Sequence, residues 1–85
     1  MNTIEWKNKA RKQFKKLPRT YQQLILDAVD TLEQPSDCWI NVVELKNHSY
    51  DYRLRVARYR VLFDFDGSIQ IVEIQEVRKR DERTY

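Results

Sequence analysis

Apolar residues in the first part of the chain recur at the spacing of amphipathic helices. Lys7–Leu17 carries one apolar stripe, and Pro18 ends this predicted helix because proline has no backbone N–H to donate. A second helix is predicted over Tyr21–Glu33, with Thr20 as its N-cap and Gln23 completing a capping box. The short connection between them predicts an antiparallel helical hairpin.

The rest of the chain alternates with a period of two, which is typical of β-strands. Together with a short N-terminal edge strand, the predicted strands are Asn2–Trp6, Val42–Leu45, Tyr52–Val56, Tyr59–Phe65 and Ile69–Val77. Asp66-Gly67 predicts a two-residue type I′ hairpin before the last strand. Apolar residues on both faces of that last strand predict an interior strand that is covered on both sides.

Two helices followed by an antiparallel meander predict a two-layer α+β domain. The N-terminal helical hairpin is expected to pack on one face of a small antiparallel β-sheet and to leave the other face open. The length of 85 residues suits one domain, so residues 1–85 are predicted to form a single unit. A chain this short has no room for an enclosed active-site cavity, and chemistry is expected on an open face or in a shallow groove.

Cysteine usage and hydropathy favour a reducing compartment. Cys38 is the only cysteine, so neither an intrachain disulfide nor a cysteine zinc site is expected. No apolar run approaches the roughly 18 residues that a membrane span needs, and Met1–Lys7 lacks the apolar region of a signal peptide. We therefore expect a cytoplasmic protein with no membrane partner.

The motifs of several enzyme classes are missing from the sequence. A single glycine excludes a glycine-rich phosphate loop, and His48, as the only histidine, excludes a paired-histidine ribonuclease and most metal triads. The closely spaced carboxylates are Glu73 with Glu76 and Asp64 with Asp66. We expect these carboxylates to be solvated or salt-bridged, and we predict no metal and no cofactor.

The remaining candidate chemistry is a set of basic residues in the predicted sheet and in the tail that follows it. Its members are Arg53, Arg55, Arg58, Arg60, Arg78, Lys79, Arg80 and Arg83. Alternation sends Arg53 and Arg55 to the face opposite the core, with Arg60 expected beside them, and strand pairing is expected to bring Arg80 near Arg60. Clustered like charges repel, and a polyanion such as nucleic acid offsets that cost. An acidic protein partner and a merely solubilising face remain open alternatives.

Arginine limits the mechanism that such a surface can support. It holds a phosphate and stabilises transition-state charge, but it cannot give up its proton at neutral pH. A proton acceptor is therefore needed, and the candidates are Tyr85, Tyr59 and Tyr52. Surrounding positive charge lowers the pKa of a tyrosine, and the ring can also stack on a base of single-stranded RNA. The alternatives are packing at the sheet edge for Tyr52 and Tyr59 and a frayed chain end for Tyr85.

A set of segments in a particular order along the whole chain carries a family resemblance. The segments are Trp6, Lys9-Ala10, Phe14–Pro18, Leu45-Lys46, Tyr52–Val56, Tyr59–Phe63 and Lys79–Tyr85. Together they resemble the RelE branch of the RelE/ParE toxin superfamily. The resemblance implies one half of a toxin–antitoxin pair, bound and neutralised by a cognate antitoxin protein in the cytoplasm of a bacterium or archaeon.

The resemblance also implies an endoribonuclease that cuts mRNA in the ribosomal A site. In such toxins the 2′-hydroxyl attacks the adjacent phosphate without a metal, and basic residues on the sheet surround that phosphate. By this resemblance Arg60 holds the phosphate, Arg80 stabilises the transition state and leaving group, and Tyr85 is the general base or base-stacking tyrosine. The residues expected to bind substrate are Arg53, Arg55, Arg58, Lys79 and Arg83.

One departure from the RelE pattern and two rival functions qualify this expectation. Arg53 and Arg55 stand where RelE has lysines, so a proton that passes through lysine in RelE must take another route here. The rivals are a ParE-type toxin that poisons DNA gyrase and a non-catalytic module that binds RNA or protein. The joint presence of Arg60, Arg80 and Tyr85 favours cleavage, since ParE relatives generally lack this set.

Overall fold

A computed structural model describes residues 1–80 and shows two helices packed on one face of a five-stranded sheet. The elements are β1 (Thr3–Trp6), α1 (Asn8–Lys15), α2 (Arg19–Asp30), β2 (Val42–Glu44), β3 (Tyr52–Val56), β4 (Tyr59–Asp66) and β5 (Ile71–Lys79). Two short 3-10 helices, Thr31–Glu33 and Ser36–Cys38, lie between α2 and β2. The predicted α+β class with helices on one face of the sheet is confirmed.

The strand order is β1-β5-β4-β3-β2, and β2 to β5 form the predicted antiparallel meander. β1 pairs in parallel with β5, from Thr3 opposite Ile71 to Trp6 opposite Ile74, so the sheet is mixed. The backbone N–H of Lys7 donates to the carbonyl of Ile74 at 2.9 Å, where the chain leaves β1 for α1. Local alternation predicts a strand but does not specify its partner, which is why the parallel pair was not foreseen.

The core lies between the helices and the sheet. Its completely or almost completely buried members are Ala10, Ile25, Val29, Leu32, Leu54, Val61, Phe63, Val72 and Ile74. Full burial of an apolar side chain contributes roughly 1.5–3 kcal/mol, so this apolar layer is the main force that holds the helices on the sheet. The opposite face of the sheet carries mainly polar side chains, with Leu62 buried among them.

Pro18 occupies the N-cap position of α2, and Thr20 lies within the first turn of the helix. The predicted capping box of Thr20 and Gln23 is therefore wrong. The side-chain amide of Gln23 donates instead to Asp27 at 2.9 Å on the exposed surface. Proline suits the start of a helix because its fixed φ, −57° here, already matches the helical range.

Gln22, one residue earlier, closes the end of the first helix. Its side-chain amide donates to the carbonyl oxygens of Phe14 and Leu17, at 3.2 and 3.0 Å. Carbonyl groups at a helix end lack the partners that interior carbonyls have. A side chain of α2 thus caps α1 and fixes the helical hairpin.

The connection between β4 and β5 is longer than the predicted two-residue turn. Asp66 pairs with Ile71, and residues 67–70 form the turn. Gly67 does not have a positive φ, whereas Gln70 has φ 56°. The Asp66 carboxylate accepts hydrogen bonds from the backbone N–H and the hydroxyl of Ser68, at 2.9 and 2.6 Å. An aspartate-stabilised turn therefore replaces the type I′ geometry, and the last strand begins two residues later than expected.

A β-bulge in β5 decides which of its side chains reach the open face. The pairing shifts between Leu62 and Phe63 of β4 and leaves Gln75 of β5 without an opposite residue. Such an insertion reverses the alternation, so that Val77 faces the core and Glu76 faces the other way. β5 is an interior strand, as predicted. Its core residues are even-numbered before the bulge (Val72, Ile74) and odd-numbered after it (Val77), because the bulge reverses which side chains face the core. On the second face, Glu76 of β5 and the adjacent Leu62 of β4 are also buried.

Replacement of Gln22 by alanine is expected to destabilise the fold by about 1 kcal/mol, because the carbonyl of Leu17 loses the Gln22 amide and the carbonyl of Phe14 keeps the backbone N–H of Leu17 as its donor. Urea unfolding followed by circular dichroism measures this change. The matched control is Gln23→Ala, which removes only an exposed contact within α2 and is expected to cost less than about 0.5 kcal/mol. Equal costs for the two variants would contradict the capping role of Gln22.

Candidate functional site

Three arginines lie side by side across the open face of the sheet. Arg60 of β4 pairs with Arg55 of β3 on one side and with Arg78 of β5 on the other. Directly opposed residues have Cα atoms roughly 4.5–5.5 Å apart, and like charges in this arrangement are destabilising. Because the row has an electrostatic cost, it is suited to bind an anion that offsets the repulsion.

A small surface cleft of about 60 Å³ lies at this row. Its lining residues are Arg53, Arg55, Tyr59, Arg60 and Arg80. Four of the arginines singled out from the sequence are therefore brought together, including the expected neighbours Arg60 and Arg80. Within residues 1–80, none of the ion pairs includes Arg53, Arg55 or Arg80. The cleft thus concentrates positive charge on an open groove, as expected for a chain of this length.

The hairpin between β3 and β4 holds Arg80 at the cleft. Ala57 and Arg58 form its two-residue turn, and the backbone N–H of Arg80 donates to the carbonyl of Arg58 at 2.6 Å. Arg58 and Lys79 are exposed, and neither side chain lines the cleft. The remaining predicted site residues, Arg83 and Tyr85, lie outside the described residues.

Two of the candidate tyrosines, Tyr52 and Tyr59, lie on the helix-covered face of the sheet. Tyr59 is buried, lines the cleft and makes an edge contact with Tyr21 of α2, with ring centroids 5.1 Å apart. Tyr52 stacks on Phe63 in the apolar layer under the helices and meets Trp39 edge-on. Burial raises the pKa of Tyr52, as do nearby carboxylates. Tyr52 is therefore a packing residue, and its candidacy as proton acceptor in the cleft is wrong.

A buried carboxylate beside the arginine row is the feature that the sequence reasoning missed. Glu76 is 3% exposed and accepts two hydrogen bonds of 2.8 Å from Nε and Nη2 of Arg78. The hydroxyl of Tyr50 donates to the same carboxylate at 2.5 Å. Lys9 and the amide of Gln13 each lie 3.5 Å from Oε1. The sequence signal for this cluster is that Val77 breaks the two-residue spacing of Val72 and Ile74, which marks the bulge.

The contacts of Glu76 determine the charge states of Glu76 itself, Arg78 and Tyr50. The Arg78 guanidinium and the Tyr50 hydroxyl lower the pKa of Glu76 to about 2, against the opposing effect of burial. The same carboxylate raises the pKa of Arg78 and of Tyr50. At neutral pH, Glu76 and Arg78 are therefore charged, and Tyr50 keeps its proton and does not act as a base.

The other carboxylates and the histidine have structural partners. Glu73 pairs with Lys7 at 2.9 Å, and Asp64 accepts from the amide of Gln75 at 3.1 Å. The ring of His48 accepts the backbone N–H of Tyr50 at 3.2 Å in the β2–β3 loop. Across residues 1–80, no cluster of three or more His, Cys, Asp or Glu side chains is placed to hold a metal ion. Over the same range, no helix is both long and apolar enough to span a bilayer.

Glu76 makes stability depend on acid pH. Because its folded-state pKa, about 2, lies below the ordinary value of 4.5, the stabilisation is complete above about pH 5 and is lost as pH falls toward 2. The corresponding loss is at most about 3 kcal/mol. Chemical unfolding at a series of pH values is expected to show this decline, and Glu76→Gln is expected to flatten it.

Glu73→Gln is the matched control for this measurement. Its partner Lys7 is exposed, and surface ion pairs are worth roughly 0–1 kcal/mol, so the acid decline should persist in this variant. An unchanged pH profile in Glu76→Gln would show that other carboxylates govern acid stability.

Solved toxin structures share this fold. A chain of the archaeal RelE–RelB complex from Pyrococcus horikoshii OT3 superposes with a TM-score of 0.79 at 21% identity, covering 95% of this chain and 97% of that chain. A chain of the RelBE2 complex from Mycobacterium tuberculosis gives 0.77 at 22% identity, covering 93% and 98%. The isolated RelE toxin of E. coli gives 0.73 at 23% identity, covering 96% and 87%.

The sequence itself matches one family model over almost its whole length. No curated protein matches the sequence. The family described as "ParE toxin of type II toxin-antitoxin system, parDE" matches residues 4–84. This match and the RelE fold confirm the resemblance that the ordered segments carried. The chain therefore belongs to the ParE toxin family of type II toxin–antitoxin systems, within the RelE/ParE superfamily.

Proposed function

We propose that the protein is a ribosome-dependent mRNA endoribonuclease that works without a metal ion. The observation that carries this proposal is the convergence of Arg53, Arg55, Arg60 and Arg80 on one open cleft. In the proposed reaction, the ribose 2′-oxygen bonds to the adjacent phosphorus and the bond from phosphorus to the 5′-oxygen breaks. A base takes the proton of the 2′-hydroxyl, and the leaving 5′-oxygen gains a proton.

The proposed roles follow from the positions of the arginines. Arg60 lies in the centre of the row and holds the scissile phosphate, while Arg80, directly after β5, stabilises the charge that develops in the transition state. Arg53 and Arg55 add permanent charge from the neighbouring strand. Permanent charge grips a phosphate but transfers no proton.

The outer residues complete the proposal. Arg58 and Lys79 are exposed at the rim and extend the basic surface along the RNA. Arg83 also binds the backbone, and Tyr85 serves as general base or stacking platform. The last two assignments rest on the sequence resemblance alone.

A second candidate function is gyrase poisoning of the ParE type. The observation in its favour is that the family model matching residues 4–84 is that of ParE toxins. We favour RNA cleavage, because the anions of a phosphate backbone offset the repulsion among like charges opposed on three strands. The two functions are separated by the assay below.

We also propose that a cognate antitoxin neutralises the protein. The similar chains from Pyrococcus horikoshii and Mycobacterium tuberculosis come from complexes with an antitoxin. The antitoxin is proposed to carry an acidic or amphipathic segment that covers the sheet face or displaces the C-terminal tail. Such a segment would match the positive charge of the cleft.

Cleavage is expected in a translation reaction that contains ribosomes, and primer extension on the mRNA locates it. Arg60→Ala and Arg80→Ala are each expected to lower kcat about 10²–10³-fold, because each removes transition-state charge stabilisation. Arg11→Ala, which removes an equal charge from an exposed position on α1, is the matched control and should cleave normally.

Two outcomes would overturn the proposed nuclease. Intact mRNA together with blocked DNA supercoiling would support gyrase poisoning. Intact mRNA with normal supercoiling would support a non-catalytic binding module.

Addition of the cognate antitoxin is expected to abolish mRNA cleavage once the complex is saturated, because the partner covers the cleft or displaces the tail. Replacing acidic residues of the antitoxin segment by neutral ones should raise the concentration needed for inhibition. The measurement is the cleavage rate against antitoxin concentration. An unaltered rate at saturation would contradict inhibition by occlusion of the site.

A further inference from the structure

Arg78 is the member of the arginine row that does not line the cleft. Its Nε and Nη2 atoms donate to Glu76, and within residues 1–80 its side chain makes no other hydrogen bond. A guanidinium has five N–H donors in a rigid plane, so a side-on pair with a carboxylate leaves the far edge of that plane available. The Arg78 side chain is 53% exposed, which makes this edge accessible to a ligand.

Glu76 is held from several directions, so it can act as an anchor. Tyr50 reaches it from the β2–β3 loop, and Lys9 and Gln13 reach it from α1. The carbonyl of the Gln13 side chain in turn accepts the backbone N–H of Val77 at 2.7 Å, next to the bulge. A carboxylate fixed on three elements gives a long arginine side chain one defined orientation, which a solvent-exposed arginine lacks.

The anchor does not cancel the charge of the site. Glu76 contributes one negative charge, and its two ionic partners, Arg78 and Lys9, contribute two positive charges. The cluster therefore keeps a net positive charge directly beside Arg60. A pair that existed only to neutralise Arg78 would need no second cation.

We propose that Arg78 binds a phosphate of single-stranded RNA next to the scissile one, and that Glu76 is the positioning residue that orients its guanidinium. This inference rests on the proposed function, since it extends the proposed phosphate grip from β3 and β4 to β5. The opposite interpretation is that Glu76 masks Arg78. The two interpretations give opposite signs when the negative charge of Glu76 is removed.

The test measures binding of a single-stranded RNA oligonucleotide with 2′-O-methyl riboses, which cannot undergo attack by a 2′-hydroxyl. Fluorescence anisotropy on the full chain gives Kd over a series of KCl concentrations. Arg78→Ala is expected to weaken binding about tenfold and to reduce the slope of log Kd against log salt by about 0.7, the value for one phosphate contact on a single strand. Arg78→Lys should restore the slope but only part of the affinity.

Arg11→Ala is the matched control for lost charge. Arg11 is exposed and lies two residues from both Lys9 and Gln13, so it points to the other side of α1 from Glu76. It is expected to change Kd by less than about twofold, because exposed charges at a distance are screened by salt. An equal effect of Arg11→Ala and Arg78→Ala would reduce the role of Arg78 to general charge and overturn the proposal.

Glu76→Gln decides between positioning and masking. Positioning predicts weaker RNA binding although the protein gains net positive charge, whereas masking predicts tighter binding and a steeper salt slope. Thermal unfolding identifies a variant that does not fold. In that case Tyr50→Phe decides, because it loosens Glu76 without changing any charge and should also weaken binding. Tighter binding by either folded variant overturns the positioning role.

Arg60→Ala separates failure of this inference from failure of the proposed function. If Arg60→Ala weakens RNA binding and Arg78→Ala does not, the inference about Arg78 fails and the proposed cleft stands. If neither variant changes Kd or its salt slope, RNA does not bind at this face and both fail.

Discussion

The buried carboxylate of Glu76 joins three elements beside the arginine row, namely β5, α1 and the β2–β3 loop. A buried carboxylate is costly unless its oxygens are paired, and this one is paired by β5, α1 and the β2–β3 loop. Removing any partner would leave a charge in a water-poor place. α1, the β2–β3 loop and β5 are therefore held together at the edge of the arginine row. The Glu76 carboxylate also offsets part of the repulsion among the three opposed arginines.

The bulge at Gln75 makes this pair feasible. In a regular strand, Glu76 and Arg78 would share the parity of Val72 and Ile74, which face the core. One extra residue turns both side chains to the open face and sends Val77 inward. Arg80, two residues after Arg78, lies on the same side and therefore also reaches the open face, where it lines the cleft. A single β-bulge thus moves the charged end of β5 from the core side to the open face, where the cleft lies.

Local patterns predicted what depends on neighbours in sequence, and missed what depends on distant residues. Two-residue alternation correctly placed Arg53 and Arg55 on the other face of the sheet from Leu54. The face that a side chain occupies depends only on its position within its own strand. The parallel partner of β1, the cap from Gln22 to α1 and the cluster around Glu76 all join residues far apart or on different elements. The Tyr50–Glu76 hydrogen bond, for example, spans 26 positions. No local period encodes such contacts.

The structure divides the proposed chemistry into a permanent part and a titrating part. Arginines keep their charge at all physiological pH values, so the grip on phosphate does not depend on pH. Proton transfer needs a group whose pKa the site can lower. Tyr50 is excluded, since the adjacent Glu76 raises its pKa, and Tyr52 is excluded by burial. A tyrosine is suited to act as the base only where positive charge surrounds it, because positive charge favours the phenolate. The Glu76 carboxylate therefore pairs with Arg78 and at the same time keeps Tyr50 protonated, so the proton acceptor must be another residue.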